Sequence, residues 1–467
     1  MDKQAFWEAL VADYENRTPK SKRHFERAIQ YQIRGGSHNL RLFEPYPFYD
    51  VRCKGAYVWD LDGNEYLDFW QGHYANILGH NPPQITDLLA KSLQTGEGLH
   101  TGFPGAPQAE LAEEVCKLTG FERVRFTTSG ALCTLYSVML SRGATGRSLA
   151  LKAAGGWHGS QPYLLKGITA YDKGLSSRES AGLHTSCGEE IITTRFNDVE
   201  ALEQTFRQCG DKIACFIVEP FIGEGGFLFL DPEYLRRARE LTTQYGAILI
   251  LDEIISGFRF HPGALSQLYA IKPDLTALGK ILGGGMPITA LAGRAEIMEL
   301  CDPKAGARRV RFEGGTFSAH PATVKAGLTM LRHLAAHREE IYPKINRLGA
   351  RIREEVPRIF ARRGIHAVCT GHPNRVVPGS SMGMIQFPSD GRTEIRNPEE
   401  NWNTEVCDPD MRERVLRLAL VTRGVHTVHG MGSVSAAHSD ADLDRMFEAV
   451  DDVAKLMASH GQHVQKR

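Results

Sequence analysis

Six short apolar runs, spaced by stretches long enough for helices, constrain this chain more than any other feature of its sequence. They are Val124-Arg125-Phe126, Ser148-Leu149-Ala150-Leu151, Ile213–Val218, residues 247–251, Leu275–Leu278 and residues 288–292. Residues 233–245 carry a helical pattern between two of them. Buried runs joined by helical crossovers demand parallel strands, because a parallel pair needs a long connection that packs back on the sheet. The expected fold class is therefore α/β, a mostly parallel central sheet with helices on both faces. The last run reads as an antiparallel addition.

The flanking segments differ from this pattern. The first 35 residues form an amphipathic helical region with Phe6, Leu10 and Tyr14 at helical spacing. Tyr57-Val58-Trp59-Asp60 and Tyr66-Leu67-Asp68-Phe69 flank Asp62-Gly63, a hairpin signal. Beyond about residue 325 the chain is helix-rich again, with a polar stretch at 388–410 that reads as a long loop or flap. Residues 440–457 form an amphipathic helix with Ser439 or Asp440 as N-cap. The expected layout is an N-terminal segment, 1–80, that joins a C-terminal small α+β domain, 326–467, around a large domain at 81–325.

Charge and cysteine content exclude several function classes. Lys plus Arg and Asp plus Glu number 55 each, so no net field draws the chain to nucleic acid or an anionic membrane. The nine cysteines are scattered without a CxxC pair, which favours reduced thiols over a disulfide framework or zinc site. Met1-Asp2-Lys3-Gln4 leads into a charged stretch without a signal-peptide core, and no apolar run has transmembrane length. The expected location is the cytoplasm.

The chemistry lies at the ends of the apolar runs. The run 247–251 ends in Asp252-Glu253, and strand carboxyl ends are where open α/β sheets place ligands. The next run leads into Gly279-Lys280 and then Gly283-Gly284-Gly285. A desolvated lysine has the lowered pKa that an imine-forming amine needs. With an acid to face a pyridine nitrogen, it would suit pyridoxal 5′-phosphate (PLP). Thr127-Thr128-Ser129-Gly130-Ala131, between a strand and a helix, offers free N–H groups and a favourable dipole to a phosphate, although ordinary capping has the same signature. Trp157-His158-Gly159 would give a flat cofactor an aromatic face, or a core aromatic.

Two of these segments together resemble the class III (fold type I) PLP-dependent aminotransferases. Leu251-Asp252-Glu253-Ile254-Ile255-Ser256-Gly257-Phe258-Arg259 is similar to their acid-bearing motif, and the segment 274–287 around Lys280 to their Schiff-base motif. The resemblance runs from about residue 35 to near the C-terminus. It is strongest to the branch of glutamate-1-semialdehyde aminomutase, D-phenylglycine aminotransferase and β-phenylalanine aminotransferase. It implies that Lys280 forms the Schiff base and shuttles the substrate proton, and that Asp252 pairs with the pyridine nitrogen. It implies that Ser129, Gly130 and Ala131 hold the phosphate, and that Trp157, next to His158, and Ile254 take the two ring faces. Thr316 would reach the phosphate in a neighbouring subunit, making a homodimer with shared sites. The chain departs from the family where Ser129-Gly130-Ala131-Leu132-Cys133 replaces Ser-Gly-Thr-Glu-Ala, with Thr128 or backbone compensating. It departs again where His320-Pro321 replaces Asn-Pro.

Arg41 lies in a segment resembling the family's substrate-carboxylate region, where it is either a bidentate carboxylate contact or an exposed arginine. Arg259 reads as a structural ion pair, and Glu219-Pro220 as a strand boundary or a site acid. His426, His429 and His438 lack a supporting metal-ligand motif, so no metal is expected, while the resemblance places residues 424–438 near the small-domain wall of the active site, which implies a histidine within reach of substrate. The expected activity is ping-pong amino transfer from an amino acid or amine to a keto acid or aldehyde. The alternatives are an aminomutase and a PLP-fold binding protein without catalysis.

Overall fold

The computed structural model describes residues 3–169 and 180–460. At its centre is a seven-stranded sheet. Its strands are β1 (Arg123–Thr127), β2 (Leu149–Ala153), β3 (Ile191–Thr194), β4 (Ile213–Val218), β5 (Ile248–Glu253), β6 (Leu275–Leu278) and β7 (Thr289–Gly293). They lie in the order β1-β7-β6-β5-β4-β2-β3. The pairs β6/β5, β5/β4, β4/β2 and β2/β3 are parallel, while β7 runs antiparallel to both β6 and β1.

All six apolar runs are strands. The sixth is antiparallel as expected, but it sits inside the sheet rather than on its edge. The seventh strand, Ile191–Thr194, is the one the periodicity did not reveal. It is a four-residue edge strand with two threonines, and so lacks the continuous apolar signature of strands buried on both faces.

The sheet is covered on both sides. Phe216, Val218, Leu249 and Leu251 pack with Leu202 and Phe206 of helix Val199–Cys209 and with Leu235 and Ala238 of helix Pro232–Tyr245. Cys215, Ile217, Ile248 and Ile250 pack with Cys133, Val138 and Leu140 of helix Gly130–Thr145. Alternate residues thus supply two separate cores, the arrangement that makes β4 apolar throughout and β5 apolar up to Asp252.

The chain ends share a core of their own. Phe6, Leu10 and Tyr14 of helix Lys3–Arg17 pack with Leu348 and Ile352 of helix Arg338–Arg362 and with Val450 of helix Asp440–Ser459. Tyr57–Asp60 and Glu65–Asp68 pair as the expected hairpin, and Val425–His426 adds in parallel to its second strand. Helix Asp440–Ser459 starts with a capping box on Ser439. The stretch 388–410 is mostly irregular, interrupted by helix Pro398–Trp402. Among the described residues no helix is long and apolar enough to cross a membrane.

Candidate active site

Parallel register brings the chemistry to one edge of the sheet. Glu253 lies opposite Leu278, so Gly279-Lys280 leaves β6 beside the end of β5. Val218 lies opposite Leu251, so Glu219 follows β4 next to Asp252. Trp157 and His158 follow β2, and Ser129-Gly130 follows β1, at the same edge. Five connections therefore converge at strand carboxyl ends.

They enclose a cavity of about 510 Å³, within the usual range for small-molecule sites of about 300–1,000 Å³. Gly130, Ala131, Trp157, His158, Asp252, Ile254, Lys280 and Arg41 line it, together with Thr128. A larger cleft of about 1390 Å³, bordered by Asp198, Tyr234, His372 and Glu400, holds none of these strand-end groups.

Lys280 opens a short turn with φ 46°, in the left-handed region that non-glycine residues rarely adopt. Gly279 is needed just before it, since a Cβ there would meet Ile254 Cδ1 at 2.8 Å and Thr289 Cγ2 at 2.9 Å. Burial pushes the Lys280 amine down to about 8, against the opposing pull of the Asp252 and Glu219 carboxyls. Capture of an aldehyde needs the neutral amine. The rate at which apo-protein takes up PLP, followed by absorbance, is therefore expected to rise through pH of about 8 and then level off. A rate that keeps climbing toward the pKa of a free lysine, about 10.4, would contradict this setting.

Asp252 is buried and held on both oxygens. Oδ1 accepts from Ile254 N at 3.1 Å, and Oδ2 pairs with His158 Nδ1 at 2.8 Å. Burial keeps the His158 ring below its ordinary pKa although Asp252 opposes it, so the neutral ring donates its Nδ1–H to the carboxyl. Thr134 Oγ1 donates to the His158 carbonyl at 2.6 Å and fixes the same residue from its backbone. The Glu219 carboxyl accepts from Trp157 N at 2.8 Å and Gly223 N at 3.1 Å. Burial and the neighbouring Asp252 push it well above the usual carboxylate range.

The helix Gly130–Thr145 starts at the same cavity. Its first N–H groups have no intrahelical carbonyl, and Gly130 and Ala131 border the cavity. Ser129 is the N-cap, its Oγ accepting from Leu132 N at 3.3 Å. Gly159, at φ +86°, packs so tightly that a Cβ would fall 2.6 Å from Ala131 Cα. Gly159→Ala is expected to destabilise the protein by about 1–3 kcal/mol. It should also weaken binding of a phosphate-bearing ligand in the cavity at least about tenfold, if the open amides beside Ala131 are what hold it. Unchanged melting and affinity would contradict that packing.

The remaining wall comes from the N-terminal segment. Gln71, Gly72, His73 and Tyr74 all have positive φ, of 47°, 61°, 59° and 67°. A left-handed conformation costs about 1–2 kcal/mol for each residue other than glycine, so this turn is strained. His73 and His38 line the cavity with Arg41.

Several expectations meet the structure differently. Arg259 is buried, but it makes no ion pair among the described residues; it donates to the carbonyls of Ile255 and Tyr74. His426, His429 and His438 do not line the cavity: His426 bonds Asp68, His429 bonds Glu413, and His438 bonds Ser435. Among the described residues no group of three ligands is placed to hold a metal. Thr316, whose expected place is in a neighbouring subunit's cavity, is exposed, and the Thr101 hydroxyl donates to its carbonyl at 2.8 Å. Sequence reasoning missed His38 and His73 and left Glu219 undecided; the strand-end position of Glu219 was its available signal.

An amine lowered in pKa, a buried acid and open helix amides around a cavity of this size fit PLP. The fold and site together define the fold type I PLP-dependent enzymes. The class III aminotransferase family model matches residues 44–370, and the chain belongs to that family. It is 32% identical to glutamate-1-semialdehyde 2,1-aminomutase of Thermoplasma acidophilum, covering 92% of this chain and 98% of that protein. The corresponding enzyme of Persephonella marina is 33% identical, over 93% of this chain and 98% of its own. Among solved structures, an omega-transaminase from Sphaerobacter thermophilus superposes with a TM-score of 0.83 at 29% identity, covering 94% of this chain and 98% of that one. A β-phenylalanine aminotransferase from Variovorax paradoxus gives a TM-score of 0.82 at 26% identity, with 98% of both chains covered. The cofactor is PLP.

Proposed function

We propose that this chain is a transaminase for a carboxylate-bearing amino compound, returning the amino group to a keto acid or aldehyde. The observation that carries this reading is the meeting of Lys280, Asp252 and the Gly130-Ala131 amides in one cavity. When bound, PLP supplies an aldehyde for amine exchange and a ring that withdraws electrons from the substrate carbon. Lys280 Nζ holds the cofactor at rest and, once displaced, moves the proton from the substrate Cα. Asp252, oriented by His158, keeps the pyridine nitrogen protonated. Ser129, Gly130 and Ala131, with Thr128, bind the phosphate. Trp157, 43% exposed, and Ile254 flank the ring. Arg41 binds the substrate carboxylate.

The active unit in this reading is a cytoplasmic homodimer in which Thr316 reaches the partner's phosphate. Leu99, Phe103 and Phe317 support it, being 78%, 82% and 63% exposed on the two segments joined by the Thr101–Thr316 hydrogen bond. Isolated large apolar side chains are common on surfaces, but a cluster marks an interface. Sedimentation equilibrium should give twice the chain mass of 51.8 kDa, and a monomer would contradict this assembly. The shared core of the chain ends supports a small domain formed by 1–80 and 326–467 around a large domain at 81–325.

The curated relatives favour a second reading, an aminomutase, because the two named above are called glutamate-1-semialdehyde 2,1-aminomutase. A mutase turns over one substrate without an acceptor. A transaminase stops after one equivalent per site until a keto acid is added. Multiple turnovers of a single amino substrate would decide for the mutase. Retention of Lys280 and Asp252 argues against a binding protein without catalysis.

A further inference from the structure

We infer that His73 is a positioning residue that fixes Arg41 at the mouth of the cavity and so selects substrates carrying a carboxylate. The inference rests on the proposed role of Arg41 and adds the group through which that role acts. Arg41 Nε donates to His73 Nε2 at 3.4 Å. An exposed arginine gains a carboxylate at the cost of ordering its side chain, and a partner already holding Nε leaves the outer guanidinium nitrogens free in a preset plane.

The His73 ring is itself held. It lies 4.2 Å from the Trp70 ring and 4.5 Å from the His38 ring, the latter edge-on. Its backbone belongs to the left-handed turn Gln71–Tyr74. Asp68 anchors the start of that turn, accepting from Trp70 N at 3.0 Å and Gln71 N at 2.9 Å. Arg259 anchors its end by donating to the Tyr74 carbonyl. A strained backbone clamped at both ends over-determines one ring position, as expected where geometry serves function. Burial, with the charges of Lys280 and Arg41 nearby, pushes the ring down to about 3, so it stays neutral and its Nε2 can accept.

The test uses PLP-loaded enzyme and two probes, 3-phenylpropionate and its neutral amide, with affinities measured by calorimetry. Wild type should prefer the carboxylate by at least about tenfold, the usual scale for a charge-assisted hydrogen bond. Arg41→Ala should abolish that preference. His73→Phe, which keeps a ring but has no acceptor, should cut it about threefold to tenfold, while His73→Gln should keep most of it. His73→Phe should add nothing in the Arg41→Ala background, as two residues acting through one contact require. If Arg41→Ala removes the preference and His73→Phe leaves it intact, the inference is overturned and the Arg41 reading stands. If wild type shows no preference, or Arg41→Ala leaves it unchanged, the Arg41 reading fails and the inference with it. Loss in His73→Phe and His73→Gln alike would assign the ring a merely structural role and also overturn the proposal.

Discussion

Lys280→Ala is expected to reduce turnover by at least about 10⁴-fold, because the proposed function gives Lys280 both the covalent attachment and the proton transfer. The variant should fold. Ala inherits the same φ of 46° that Lys280 adopts, so backbone strain is unchanged, and the removed chain opens on a cavity rather than a packed core. Its melting temperature should stay within a few degrees of wild type. Activity within tenfold of wild type would show that Lys280 is not the reacting amine.

Asp252→Asn is expected to lower turnover by about 10²–10³-fold, the scale for removing one preorganised electrostatic group at a developing charge. The amide oxygen can still accept from Ile254 N, and its NH2 can donate to His158 Nδ1 once the neutral ring carries its proton on Nε2 instead, so the fold should hold. What it loses is the charge that, in the proposed function, would keep the pyridine nitrogen protonated. Asp252→Ala should be worse in a second respect. His158 Nε2 is already buried without a partner, and removal of the acid would strand Nδ1 as well. An orphaned buried donor costs about 1–3 kcal/mol, so Asp252→Ala should melt lower than Asp252→Asn. Equal turnover of Asp252→Asn and wild type would place the acid outside the chemistry.

The sheet was legible because its central strands are buried on both faces. β4 is apolar from end to end and β5 is apolar up to Asp252-Glu253, and such runs are hard to mistake when helices separate them. β3 escaped because an edge strand ending in Thr193-Thr194 resembles a loop. The insertion of β7 between β1 and β6 depends on nonlocal pairing, which no local pattern encodes. The meeting of Lys280 and Asp252 at strand ends was readable from residue type and position, and the two motifs supplied the roles proposed for them.

The pairing of His158 with Asp252 was not readable. It depends on the register between β2, β4 and β5, which brings two loops together from distant parts of the chain. The turn that carries His73 was hidden for another reason. Gln71, His73 and Tyr74 are ordinary residues with no local preference for left-handed backbone; the turn is held locally by Asp68 and, from a distant part of the chain, by Arg259. Arg259 misled in the same way: its charge suggested an acid partner, whereas the fold uses its several N–H groups on carbonyls.

The most direct measurement is the absorbance spectrum of purified protein with PLP, wild type beside Lys280→Ala, before and after adding glutamate, alanine and a β-amino acid. A visible band that requires Lys280 and bleaches with a donor is the predicted result. A spectrum that is the same with and without Lys280 would contradict the account at its centre.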